Sequence, residues 1–298
     1  MSIRTQRDIV FAEARIGYNK GEGPIRVVPL KLDAYLPAVS AATPAPALVL
    51  AHGGAFHRGS KEDDRGAGPN TTTAEYCRRF AALGWPSFSV QYRLAQTDPE
   101  PSRQPVLTQP NQVPMSRVDV VRAEMGLPPI GASDMARFME AAVDDVADAV
   151  RFVKTHHGGF GIDPGRIVLG GFSAGGRCAA YAAYGKRVGV AGVVAISAPL
   201  VPVDAAAYLT RGHELPPLLM ISGERDLDYV CAFVPDVERQ FLAAGRQVEW
   251  AMVPGGTHFY PSDSRAGDGR TVFEIIRASI TKWVGQPADQ FAQVRSAS

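Results

Sequence analysis

Gly170-Gly171-Phe172-Ser173-Ala174-Gly175-Gly176 follows the apolar run that starts at Ile167 and leads into Arg177-Cys178-Ala179-Ala180, which can continue as a helix. It contains the pattern Gly171-x-Ser173-x-Gly175. A serine on a tight strand-to-helix turn has a strained backbone, and glycines two residues to either side relieve the crowding around it. The helix start also offers free N–H groups and the positive end of the helix dipole. A serine there can be a plain N-cap. The strand before it and the helix after it are the context a nucleophilic serine needs.

Outward from this turn, short apolar runs alternate with helical periods. Val27–Leu36, Ala47–Ala51, Trp85–Tyr92, Ile167–Gly170, Gly192–Ser197, Leu218–Ser222 and Val248–Val253 read as strands. Thr72–Leu83 reads as a helix capped by Thr71 or Thr72 and stopped at Gly84. In Ala141–His156, Val143, Val146, Ala147, Val150 and Val153 fall at helical spacing. Asp236–Ala244 and Thr271–Val284 are further helices, and Asp163-Pro164-Gly165 is a turn. This alternation predicts an α/β protein with a mostly parallel sheet covered by helices. The N-terminal strands, with no helix between them, predict an antiparallel start.

Gln96–Pro129 breaks the rhythm with Pro99, Pro101, Pro105, Pro110, Pro114, Pro128 and Pro129. A loop of this length inside a compact domain reads as a lid or binding segment, or else as a disordered insertion. Ser116–Met125 can form a short helix within it. The expected organisation is one domain over 1–298, with a lid-like insertion at about 96–137 and a frayed tail over Ala288–Ser298.

Composition narrows the function. Hydrophobic residues at 46% and charged residues at 20% exclude a wholly disordered chain. Basic and acidic residues number 31 and 30, so there is no basic field for nucleic acid. The uncharged stretches Ala34–His57 and Val188–Val203 are both broken by proline, which argues against a membrane span. No apolar core follows Met1–Asp8, and Cys77, Cys178 and Cys231 form no CxxC pair or zinc pattern. A cytoplasmic protein with free thiols, no metal and no cofactor is the expectation.

A nucleophilic serine needs oxyanion donors, a base and an acid. Leu48-Val49-Leu50-Ala51-His52-Gly53-Gly54-Ala55-Phe56 is a strand running into a glycine turn, where small residues leave backbone N–H groups free to point at an oxyanion. Ala174, the residue after the nucleophile, supplies a further donor. His52 reads as a brace for the loop. His156 and His157 read as a helix end, His213 lies in a polar loop, and His57 is upstream of the serine. His258, in Pro254-Gly255-Gly256-Thr257-His258-Phe259 after the last strand, stands where the base belongs in the order Ser, acid, His. The acid falls in Gly223-Glu224-Arg225-Asp226-Leu227-Asp228, with Asp226 the first choice, Asp228 its close rival and Glu224 too near the strand end.

Together, His52-Gly53-Gly54-Ala55-Phe56 and Gly171-Phe172-Ser173-Ala174-Gly175-Gly176 resemble the α/β-hydrolase superfamily. More narrowly, they resemble its carboxylesterases of the hormone-sensitive-lipase type and the neighbouring bacterial feruloyl and acetyl-xylan esterases. Tyr92-Arg93-Leu94 resembles their strand-end segment, and Gly161–Ile167 their lead-in to the nucleophile. The likeness spans about Val27 to Val284. It implies nucleophile Ser173, acid Asp226, base His258, and oxyanion N–H groups from Gly54, Ala55 and Ala174. Ala55 replaces the usual third glycine, the long N-terminal cap is missing, and the proline-rich insert is longer than usual.

The function expected is cleavage of carboxylic esters of small molecules through an acyl-enzyme. The alternatives are an arylformamidase or peptidase on the same machinery, a thioesterase or lactonase, and a non-catalytic binding protein on this fold. Phe56, His57, Phe172, Arg177 and Phe259, with Arg58 and Tyr260, flank the motifs as candidate pocket residues. An arginine at the mouth suits a substrate carboxylate, although arginines more often pair within the protein. The helix Thr271–Val284 offers a surface for a homodimer.

Overall fold

The computed structural model describes residues 2–18, 24–39, 43–62, 70–210 and 214–287. His213 and the tail Ala288–Ser298 lie outside them. The strands are β1 (Ile3–Ile16), β2 (Arg26–Pro37), β3 (Ala45–Ala51), β4 (Ser87–Val90), β5 (Ile162–Phe172), β6 (Gly192–Ile196), β7 (Leu218–Gly223) and β8 (Val248–Val253). They form one sheet in the order β1-β2-β4-β3-β5-β6-β7-β8. From β4 through β8 all pairings are parallel. β1 and β2, and β2 and β4, pair antiparallel.

The antiparallel start is present, but its partners differ from a simple reading of neighbours in sequence. β4 lies between β2 and β3, and β1, which the sequence reading passed over, supplies the outer strand. β1 carries Arg4, Arg7, Asp8, Glu13 and Arg15, and only Phe11 and Ile16 along it are buried. An edge strand has just this mix, because charges blunt its unpaired side. The central strands β3, β6 and β7 are buried throughout, as expected of parallel strands covered on both faces.

The helices are α1 (Thr73–Ala82), α2 (Ser116–Glu124), α3 (Ala132–Thr155), α4 (His157–Phe160), α5 (Ala174–Ala180), α6 (Pro202–Leu209), α7 (Asp228–Ala243) and α8 (Val272–Val284). α1 and α8 pack on one face of the sheet through Tyr76, Phe80, Phe273, Ile276 and Ile280. α3, α5, α6 and α7 cover the other through Met139, Val146, Cys178, Ala205 and Val237. Thr72 caps α1 by accepting the Glu75 N–H, and Thr271 and Glu274 form a reciprocal capping box on α8.

Several boundaries moved. α3 begins nine residues before the expected Ala141, because Pro128 and Pro129 end the preceding loop without reaching the helix. α7 begins at Asp228 rather than Asp236 and carries Pro235 inside it. That proline cannot donate to the Cys231 carbonyl, a local loss that Val230, Val234, Val237 and Phe241 offset by burial. α6 was not anticipated. The Asp163–Gly165 turn survives as a bulge in β5: the Gly165 N–H donates to Asp163 Oδ1 at 2.8 Å, and the register with β3 skips from Ile162 to Ile167.

The proline-rich segment is pinned to this frame. Arg93, at its entrance, forks onto buried Asp145 of α3 at 2.7–3.0 Å. Arg137 Nη2 reaches Asp98 at 2.9 Å. Glu140 Oε1 accepts the N–H groups of Val106 and Leu107, both at 2.6 Å. Asp204 Oδ1 accepts the Thr108 N–H at 2.7 Å, and Tyr208 donates to the Val106 carbonyl. These two buried carboxylates satisfy backbone that a prolyl segment cannot pair in a ladder. α2 forms within the segment, ending one residue before the expected Met125.

Candidate active site

Ser173 sits between β5 and α5 with φ 51° and ψ −119°, a conformation that side chains rarely adopt. The strain is held because the neighbours leave no alternative. A Cβ on Gly171 would lie 2.4 Å from the Ala51 carbonyl oxygen, and one on Gly175 would lie 2.1 Å from it. Only glycine lets β3 run this close beneath the turn. The Ser173 N–H donates to the Ile196 carbonyl at 2.8 Å, which anchors the turn to β6. Ser173 makes no side-chain cap on α5.

Its hydroxyl lies 2.9 Å from His258 Nε2 instead, and His258 Nδ1 lies 2.6 Å from Asp226 Oδ1. Asp226 is held from both sides. Its Oδ2 accepts the Ser197 hydroxyl at 2.6 Å and the Gly223 N–H at 3.2 Å, and its Oδ1 also accepts the Leu227 N–H at 2.8 Å. The Tyr260 hydroxyl lies 2.9 Å from Ser197 Oγ and donates to the Ile221 carbonyl. Asp228, the rival acid, is exposed at the first turn of α7. Glu224 braces the histidine loop by accepting the Gly255 N–H at 2.7 Å. Tyr260, expected among the pocket residues, instead supports Ser197, and Ser197 itself is visible in the sequence only as the polar residue that ends the apolar run of β6.

The loop after β3 lies against the serine turn. A Cβ on Gly53 would sit 2.6 Å from the Phe172 ring, and one on Gly175 would sit 2.4 Å from the His52 carbonyl. Gly54, Ala55 and Phe56 all have positive φ, and the Gly54 carbonyl accepts the N–H groups of His57 and Arg58. The N–H groups of Gly54, Ala55 and Ala174 have no hydrogen-bond acceptor among the described residues.

Both histidines of this loop brace it. His52 is fully buried, with Nδ1 2.7 Å from the Gly53 carbonyl and Nε2 3.1 Å from Gln91 Nε2, its ring stacked on Tyr92 at 4.3 Å. Burial pushes its pKa down to about 4, so the ring is neutral, donates from Nδ1 and accepts at Nε2. The Tyr92 hydroxyl donates to the His52 carbonyl at 2.9 Å. His57 Nδ1 lies 2.7 Å from the Ala55 carbonyl and Nε2 lies 2.8 Å from Arg122 Nη1. Burial and then Arg122 lower its pKa too. Gln96 also donates to the His57 carbonyl.

The candidate pocket residues divide. Phe172 and Phe259 flank the His258 ring, with centroids 5.2 and 5.0 Å away. Arg117 of α2 lies over Phe259 at 5.4 Å, and Arg177 of α5 lies 5.8 Å from the Tyr229 ring. Phe56 turns into the core beside Tyr92, and both His57 nitrogens are committed, so these two hold the loop's shape instead.

The sheet order, the strained serine turn and the hydrogen-bonded Ser-His-Asp row define the α/β-hydrolase fold. The family model BD-FAE matches residues 132–191, the part that contains α3, β5 and the serine turn. Esterase 2 of Thermogutta terrifontis, solved phosphoramylated by tabun, is 18% identical and superposes with a TM-score of 0.62 over 96% of this chain and 97% of that one. A truncated carbohydrate esterase from gut microbiota is 16% identical, with a TM-score of 0.58 over 95% and 97%. A bacterial heroin esterase is 20% identical, with a TM-score of 0.55 over 95% and 83%. No protein of curated function matches the chain significantly. Among the described residues, no helix is long and apolar enough to cross a membrane.

Proposed function

We propose that this protein is a serine hydrolase that cleaves carboxylic esters of small molecules. The observation that carries the reading is the row Ser173 Oγ, His258 Nε2, His258 Nδ1, Asp226 Oδ1, built on a serine whose φ is 51°. Support comes from the esterases that share the fold, one of them bearing an organophosphorus adduct, and from the BD-FAE match over the serine turn.

In this mechanism the Ser173 oxygen attacks the ester carbonyl while His258 Nε2 takes its proton. Asp226 holds the imidazole with its proton on Nδ1 and stabilises the cation that forms. The N–H groups of Gly54, Ala55 and Ala174 receive the oxyanion, each worth about 3–4 kcal/mol in the transition state. His258 then protonates the leaving alcohol. A water, deprotonated by the same nitrogen, releases the acyl group and restores the serine. Ser173 and His258 are only 6% and 5% exposed, and α2 reaches Phe259 through Arg117. We therefore read Gln96–Arg137 as a lid on one hydrolase unit. The free thiols support a cytoplasmic setting, and α8 remains our candidate for a homodimer face.

The test is labelling with a fluorophosphonate probe, together with hydrolysis of p-nitrophenyl acetate, butyrate and octanoate, by wild type and Ser173→Ala. Wild type is expected to label and to cleave the short esters, and the variant to do neither. Wild-type protein that neither labels nor cleaves would refute the reading.

A further inference from the structure

Arg177 stands one helical turn beyond Ser173, its N–H donating to the Ser173 carbonyl at 3.0 Å. Its guanidinium lies 5.8 Å from the ring of Tyr229, which stands three residues beyond Asp226. Arg177 is 4% exposed. Its Nε and Nη2 are buried and donate to no acceptor: among the described residues, nothing takes a hydrogen bond from this guanidinium and no carboxylate pairs with it. Arg93 is answered by Asp145 and Arg122 by His57 and the Pro128 carbonyl, and Arg137, whose Nε is also unpartnered, still pairs with Asp98 through Nη2. A buried, unanswered guanidinium is costly, and folds keep such a group where something else supplies the counter-charge.

The surroundings say where that counter-charge enters. Tyr229, whose ring faces Arg177, lies three residues beyond Asp226 at the start of α7. Burial raises the pKa of its phenol, and Arg177 pulls the other way. Arg117 approaches from α2 over Phe259, the neighbour of His258. Arg117 has no carboxylate partner among the described residues either. Arg177 thus faces Tyr229 and Arg117 faces Phe259, each ring belonging to a residue within three positions of the proposed acid or base. The unpartnered pair on Arg177, Nε and Nη2, forms one edge of the guanidinium, and that edge matches the two oxygens of a carboxylate.

We propose that Arg177 binds a carboxylate carried by the substrate, so that the esters cleaved best are those bearing a free carboxylate on the acyl or the alcohol side. Arg117 adds positive charge beside Phe259, the neighbour of His258. The inference rests on the serine-esterase reading and names its substrate class. Hydrolysis consumes one water and yields an alcohol and a second carboxylate, while the bound carboxylate is unchanged.

Two matched pairs test it: p-nitrophenyl hydrogen adipate against p-nitrophenyl methyl adipate, and 4-acetoxybenzoate against its methyl ester. In wild type, kcat/KM is expected to favour the anionic member of at least one pair by about tenfold or more, the scale of a charged hydrogen-bonded contact. That ratio should fall about tenfold in Arg177→Gln and recover in part in Arg177→Lys, which keeps the charge but loses the fork. A wild-type preference for the neutral member in both pairs, or an unchanged ratio in Arg177→Gln, overturns the proposal. If Arg177→Gln does not fold, wild type alone decides. Adipate should inhibit cleavage of p-nitrophenyl butyrate competitively where adipamide does not, and equal or absent inhibition by the two overturns the proposal. Cleavage of neutral esters without anionic preference refutes this inference alone. Loss of all ester cleavage and of fluorophosphonate labelling removes the esterase reading and this inference with it.

Discussion

Arg122 Nη1 lies 2.8 Å from His57 Nε2, and His57 Nδ1 lies 2.7 Å from the Ala55 carbonyl. One imidazole therefore connects a helix of the proline-rich segment to the loop proposed to hold the oxyanion. Arg58 and Glu124, 2.9 Å apart, make a second, more exposed tie between the same elements.

Arg122→Met removes the buried tie and leaves His57 Nε2 unpaired. We expect a loss of about 1.5–3 kcal/mol of stability by urea unfolding, the range for a hydrogen bond to a charged group. We also expect kcat to fall more than KM rises, because the oxyanion loop loosens. Unchanged stability and unchanged kcat would show that the segment and the loop are independent.

The two candidate acids separate by substitution. Asp226→Asn keeps the shape but no longer enforces the Nδ1–H tautomer of His258, and it should lower kcat by about 10⁴-fold. Asp228→Asn alters an exposed first-turn charge and should change kcat less than about twofold. The reverse ranking would move the acid to Asp228.

Gly54 has φ 119°, and a Cβ there would lie 1.9 Å from the Arg58 carbonyl oxygen. Gly54→Ala should abolish activity and cost more than about 3 kcal/mol, the regime of backbone clash. Gly126, at φ 66° with nothing within 4 Å of an added Cβ, is the contrast. Gly126→Ala should cost only about 1 kcal/mol. Similar costs at both positions would mean that the loop after β3 relaxes freely.

His52 supplies a pH dependence with a defined sign. Unfolded, its imidazole takes a proton near 6.5, whereas burial keeps it neutral down to about 4. Between those values the unfolded chain binds more protons, so stability rises with pH and is lost on acidification. The contribution over that window is at most roughly 3 kcal/mol. His52→Asn, which keeps a donor near the Nδ1 position, should flatten the stability curve between pH 4 and 6.5 relative to wild type. Parallel curves would contradict a neutral buried imidazole.

The serine turn was legible in sequence because its glycines answer a steric demand that no other residue meets. That Ser173, Asp226 and His258 come together was legible for the same kind of reason, each standing just past a strand. Sequence ranks Asp226 only narrowly above Asp228, because they differ in whether the backbone turns the side chain into the Ser197 and Gly223 site or out onto α7. β1 escaped because its exposed charges hide a strand's alternation, and the first half of α7 escaped because Pro235 reads as a helix boundary. The candidate pocket was the least legible part. Phe56 and Phe172 both flank a motif and both are buried, but only the fold shows that one packs beside Tyr92 and the other beside His258. Arg177 was visible as a residue, while its lack of a partner was not, since pairing depends on what the rest of the chain brings near.

Glu140 and Asp204 grip residues 106–108 from below, whereas Arg103, Gln104, Pro105, Gln109 and Pro110 on either side are exposed. Lys186 also donates to the Ser102 hydroxyl and the Gln104 carbonyl, so the stretch is held at 102–108 and exposed over 109–112. Length added at 109–112 should leave the sheet and the serine turn undisturbed, because exposed backbone there carries few packing contacts. The segment is therefore the natural place for this scaffold to diversify, and the place to splice in foreign loops when re-engineering what the site admits.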